Sequence, residues 1–204
     1  MRGMMRLQLA VIALLLVHQA LLPQANPDSV KLRNDCRAAE HVLTTGEPGP
    51  HRTEALSLIG LCGREGIPAF QAAWTSAGGD RTELGLLVTS TRAVVAPELV
   101  EMLFTSLSQP SQAVNARVAS LLVLLTYADA AVVPGFDDFI GDQALLLARR
   151  YGRVDHPSPA AGREQLAADF MQRLRGALQA IAASDPDAGM RLAAKVALQN
   201  PPLR

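Results

Sequence analysis

Aromatic residues supply only 4% of this 204-residue chain, with a single tryptophan, so any core must be built mainly from Leu, Ala and Val. That composition suits closely packed helices. Excess charge of either sign is also missing, with 19 basic residues against 19 acidic ones. A generic nucleic-acid surface announces itself as a basic excess or a clustered stripe, and here the arginines are scattered, so no nucleic-acid partner is expected.

Histidine and cysteine are as scarce. Apart from His18, the histidines are His41, His51 and His156, none with a metal-ligand neighbour at helical spacing, and no HExxH occurs. The two cysteines, Cys36 and Cys62, form no CxxC. GxSxG, phosphate-cradling and dinucleotide-binding motifs are absent too. The sequence therefore predicts no catalytic residue, no metal site and no cofactor. No segment shows the two-residue alternation of a half-buried strand.

At the N-terminus, Arg2 and Arg6 precede an uncharged run from Leu7 to Ala25 with an apolar heart at Leu9 to Val17. This is the pattern of a secretory signal peptide, assigned to residues 1–25, since a membrane span needs about 20 predominantly apolar residues. The protein is then exported, to a periplasmic or extracellular location. Contact with a membrane is expected only if the segment stays uncleaved as an anchor. Its removal leaves 17 basic and 19 acidic residues, a net charge of −2, on residues 26–204, a length that fits one domain.

An even number of cysteines in an exported chain suggests a bridge. If one helix ends near Thr44 and an antiparallel partner starts near Arg52, Cys36 lies eight residues before the turn and Cys62 ten after it. At 1.5 Å per residue the two differ in height by about 3 Å. A Cys36–Cys62 disulfide is expected, the alternative being two buried thiols.

The chain's main internal signal is a repeated frame. Arg52-Thr-Glu is followed sixteen residues on by Pro68, Arg81-Thr-Glu sixteen on by Pro97, and Arg117 seventeen on by Pro134. Two residues after each proline stands Phe70, Leu99 or Phe136. Helical pairs repeated at such spacing cannot bury their apolar faces alone and must stack.

Breakers and three-and-four spacing divide the chain into helices. Pro27 opens a first helix that Gly46 ends. A second runs from about Arg52 to Cys62, and Pro68 opens a third through Trp74 to Gly78-Gly79. The second repeat carries Leu84, Leu87, Val88 and Thr91, then a helix opened by Pro97. The third carries Val118, Leu121, Leu122 and Leu125, then Pro134 opens a helix through Tyr151. After a Pro-rich linker, 152–160, come a helix with Leu166, Phe170, Leu174, Leu178 and Ile181, and a last one with Met190, Leu192 and Val196 that Asp185-Pro186 caps and opens.

Residues about 50–142, with a weaker echo at 187–198 (Arg191-Leu-Ala-Ala), resemble HEAT and HEAT-like repeats: an arginine near the start of the first helix, small and apolar residues after it, and a proline opening the second. The Asp-x-x-x-Arg-x-x-Ala-Ala signature is only partly present. The resemblance implies an all-α, right-handed α-solenoid with a capping helix at 26–49, repeats at 50–151 and C-terminal capping helices at 161–204. It also implies that second helices line a concave surface for protein recognition or scaffolding, and that Arg52, Arg81, Arg117 and Arg191 stitch repeats together rather than form a ligand ladder.

On the shared proline frame Glu98, Glu101, Asp138 and Asp142 fall on second helices, a candidate acidic strip for a basic partner segment or, in the alternative, a weak cation site at Asp138 and Asp142. The competing reading is that first-turn acids complement helix dipoles. Trp74 aligns with Leu103 and Ile140, which predicts a core role. The functional expectation is a non-catalytic protein-binding or scaffolding module whose partner protein is unidentified. The rivals are a lyase or enzyme accessory, by family analogy alone, and a carrier of an apolar ligand between helices.

Overall fold

The computed structural model of the chain describes residues 27–46, 49–60, 62–91, 95–128, 139 and 163–203. The expected signal peptide, the Pro134 helix other than Phe139, the 152–160 linker, Asp138, Asp142 and His156 lie outside the described residues.

Among the described residues every regular element is helical. The α-helices are α1 (Pro27–Thr45), α2 (Pro50–Ile59), α3 (Gly63–Ala77), α4 (Arg81–Thr91), α5 (Pro97–Ser108), α6 (Val114–Tyr127), α7 (Phe170–Ser184) and α8 (Ala188–Ala197), with 3-10 turns at Arg163–Gln165 and Pro201–Leu203. Their boundaries follow local chemistry. Gly46 (φ 72°) and Gly78 (φ 55°) end α1 and α3 in the left-handed region that glycine tolerates without strain. Pro50 and Pro97 open α2 and α5, where a missing N–H leaves no bond unmade. Asp187 caps α8 by accepting from Met190 N at 2.8 Å.

The chain divides into two compact units, residues 1–34 and 35–204. Of the first, only the N-terminal part of α1 is described. In the second, α2 packs on α4, α4 on α6 and α6 on α8, while α3 packs on α5 and α5 on α7. The α2–α4–α6 helices are buried well beyond a single stripe: every residue from Leu84 to Thr91, and every one from Ala119 to Leu125, is buried. An apolar face all round is what a helix covered on several sides requires.

Small residues permit this packing. A Cβ on Gly60 would sit 2.6 Å from Thr91 N, so α2 and α4 meet nearly backbone to backbone. The hydroxyls of the buried seam are satisfied within helices: Thr89 donates to Gly85 O at 2.5 Å, Ser120 to Ala116 O at 2.9 Å, and Ser90 to Leu87 O at 3.0 Å. The buried Tyr127 hydroxyl donates to Thr91 O at 3.0 Å, and burial pushes the phenol well above its ordinary range.

Four local readings are corrected. Pro68 does not open α3, which starts at Gly63 and carries the ring inside. The α2–α3 corner is too tight for a loop of side chains, since a Cβ on Gly66 would lie 2.9 Å from Ile59 O. Cys62 lies beyond α2, at the N-cap of α3, rather than on the α2 stripe. Leu166 precedes α7, which begins at Phe170. Finally, α8 buries Met190, Ala194 and Ala197, whereas Leu192 is 64% exposed and Val196 39%.

Cys36 and Cys62 are joined as a disulfide, with Cα atoms 5.6 Å apart. It pins α1 to the α2–α3 junction.

Candidate functional site

The frame arginines hold the helices to one another. On α2, Arg52 donates Nε to Glu83 Oε1 at 2.6 Å and Nη2 to Glu83 Oε2 at 2.8 Å, with Nη2 also 2.9 Å from Ser76 Oγ. It thus ties α2 to the start of α4, and the two-pronged pairing raises its already high pKa. Arg81 donates to Phe139 O at 2.7 Å and stacks over its ring. Arg117, 1% exposed, donates Nε to Leu107 O at 3.1 Å and both terminal nitrogens to the Asp185 carboxylate, at 3.0 Å through Nη1. From α8, Arg191 donates to Asp185 O at 2.5 Å and Pro186 O at 3.1 Å.

Asp185 is therefore not the cap of α8 that the Asp-Pro step suggested. It is the C-cap of α7, its side chain is taken by Arg117, and Asp187 caps instead. The Arg117 hydrogen bonds hold the Asp185 carboxyl below the ordinary carboxylate range against the opposing effect of burial.

The two described acids of the candidate strip lie on α5 and both have basic neighbours. Glu101 receives Arg173 Nη1 at 2.6 Å and Nη2 at 2.9 Å. The Arg173 guanidinium also stacks 4.5 Å from the Phe104 ring centre, and Phe104 meets Phe170 edge-on at 5.8 Å. Arg173 thereby lowers the pKa of Glu101. Glu98 is 3.5 Å from Arg64, with both side chains largely in solvent. Asp138 and Asp142 lie outside the described residues, so the structure juxtaposes only half of the proposed strip. Glu98 does stand in the first turn of α5, as the dipole reading requires.

Beside these acids a groove of about 480 Å3 runs between α3 and α5, lined among others by Gln71, Trp74, Met102 and Ser106. Trp74 packs on Phe70 with ring centres 5.6 Å apart and is 5% exposed, a core position. Its Nε1–H nevertheless has no hydrogen-bond partner among the described residues, and neither has the Ser106 hydroxyl. A second cavity, about 310 Å3, lies between α6 and α8 and is apolar, lined by residues such as Leu121, Leu125, Leu192 and Val196. A smaller cleft of about 150 Å3 brings Asp35, His51 and Glu54 between α1 and α2. No group of three metal-ligating side chains is gathered among the described residues.

Sequence reading missed Arg173 and Ser106. Arg173 is 72 residues from Glu101, and nothing local marks the pair. Ser106 stands in the serine–leucine run that closes α5 and reads as an ordinary helix end. Asp185 carried a misleading signal, a following proline that imitates a cap. No family model matches the chain, and no curated protein or solved structure matches it either.

Proposed function

We propose that this chain is an exported, non-catalytic repeat protein, a right-handed α-solenoid of HEAT-like hairpins that binds or scaffolds another protein. The observation that carries the reading is the use of the frame arginines: Arg52 reaches from the first repeat to Glu83 of the second, and Arg117 reaches from the third to Asp185. Residues that recur in sequence and bridge successive units are what a stacked array needs, because each unit depends on its neighbour for burial. The serial packing of α2, α4, α6 and α8 supports the same reading. Export is supported by the N-terminal pattern and by the Cys36–Cys62 disulfide, a bond that persists in oxidising compartments.

Crosslinking followed by capture from the native envelope tests the function. A discrete protein retained by the wild type is the expected result. Recovery of no protein, with a lipid or pigment copurifying, would replace the reading by that of an apolar-ligand carrier. The apolar cavity between α6 and α8 favours this second reading.

A further inference from the structure

Trp74 Nε1 and Ser106 Oγ are the two buried side-chain polar groups without partners among the described residues, and Trp74 and Ser106 both line one and the same groove. Their side chains come from different helices, α3 and α5, and both residues are more than nine-tenths buried at 5% and 6% exposure. Other buried serine and threonine hydroxyls among the described residues bond a carbonyl of their own helix, as Thr89, Ser90 and Ser120 do. Protein interiors rarely leave such groups unpaired, and two at one concavity point to a ligand that completes them. The groove's volume of about 480 Å3 falls in the range of ligand sites, roughly 300–1,000 Å3.

The chemistry of the wall narrows the occupant. An indole N–H donates only, so the ligand must present an acceptor such as a carbonyl oxygen. The rim carries Glu98 and Glu101. Glu101 is already held by two bonds from Arg173, whereas Glu98 has a single long contact with the exposed Arg64 and can exchange it for another cation. A bare metal ion offers no acceptor to Trp74, and a phosphate would face two carboxylates. An acceptor and a cation together, beside the amide of Gln71 and the thioether of Met102, describe a peptide carrying lysine or arginine.

We propose that the groove between α3 and α5 docks a basic peptide segment of the partner protein, with peptide carbonyl and hydroxyl or amide groups completing Trp74 Nε1–H and the Ser106 hydroxyl and the cationic side chain lying against Glu98. This rests on the protein-binding reading above. Because Trp74 is the chain's only tryptophan, its emission reports the groove directly.

The full chain is titrated with libraries of capped hexapeptides, each fixed at one position and random elsewhere, while Trp74 emission is followed. Libraries fixed with Lys or Arg should shift the emission and saturate, and libraries fixed with Asp or Glu should not. Glu98→Gln should weaken the basic libraries about tenfold, as loss of a charged contact does, and added salt should weaken the wild type more than the variant. Ser106→Ala should weaken binding without lowering the melting temperature, a combination that a merely structural role would not give. The proposal is overturned if basic libraries are not preferred, if Glu98→Gln binds like the wild type, or if vesicles rather than peptides move the emission. Partner capture separates the two levels. A Glu98→Gln, Ser106→Ala double variant that still retains the wild-type partner sinks the groove and leaves the protein-binding reading standing, and a wild type that retains no protein sinks the latter.

Discussion

Arg117 on α6 and Asp185 at the end of α7 form a buried ion pair, 1% and 3% exposed at their side chains, that joins elements 68 residues apart. Removing either partner strands the other charge away from water, which typically costs about 3–5 kcal/mol. Arg117→Met and Asp185→Leu should each destabilise by that order in urea unfolding. The double variant, which leaves no unpaired charge, should recover most of the loss.

The same pair sets an acid limit. The folded-state pKa of Asp185 is depressed, so its contribution is complete above the unfolded value, about 3.9, and disappears as pH falls through the folded one. Stability measured downward from about pH 5 should fall more steeply for the wild type than for the double variant. Parallel curves would assign acid unfolding to other carboxylates.

The Cys36–Cys62 bridge closes a loop with a sequence separation of 26. Loop-closure entropy for that length corresponds to about 3.5 kcal/mol. Reduction, or replacement of both cysteines by serine, should lower the melting temperature accordingly. Mass spectrometry of the unreduced protein should find it two hydrogens lighter than the reduced form.

Helix positions were largely legible in the sequence because breakers act locally: Gly46, Pro50, Gly78 and Pro97 each do in the structure what their backbone chemistry dictates. The disulfide was legible from the even cysteine count and the rough height match across the α1–α2 turn, although Cys62 stands past the end of α2. Pro68 was misread because a proline ordinarily marks a helix start, whereas α3 begins at Gly63 and holds Pro68 inside it. The exposure of Leu192 was not legible, because three-and-four spacing says that a face exists, not that a neighbour covers it. For the candidate site, Glu98 and Glu101 could be placed on one helix by counting, yet Arg173 and the unpartnered Ser106 arise only from packing.

Two glycines separate close approach from mere helix weakness. Gly60 faces Ser90 and Thr91 backbone atoms at 2.6 Å, so Gly60→Ala must push α2 from α4 and should destabilise by about 1–3 kcal/mol, the range for overpacking. Gly176 lies inside α7 with no atom of the described residues within 4 Å of an added Cβ, and Gly176→Ala should stabilise by about 0.5–1 kcal/mol. Melting both variants checks the contrast. A Gly60→Ala protein as stable as the wild type would mean that the α2–α4 seam yields without cost.

The Arg52–Glu83 pair decides whether the frame arginines stitch repeats or await a ligand. Its side chains are 16% and 26% exposed and meet through two bonds, which places it above an exposed ion pair and below the buried Arg117 pair. A double-mutant cycle with Arg52→Gln and Glu83→Gln should give a coupling near the top of the exposed range, about 1 kcal/mol. Arg52→Lys should recover only part of it, because an ammonium cannot reproduce the two-pronged contact. The location of the effect is more telling than its size. If Arg52 stitches the repeats, its loss should raise amide exchange in α2 and in the first turn of α4 together, since each helix is braced by the other. If the arginines instead form a ladder held open for a ligand, the coupling with Glu83 should be close to zero and exchange in α4 unchanged. A measured coupling of zero would therefore remove the main support for a stacked array, whatever partner is later captured.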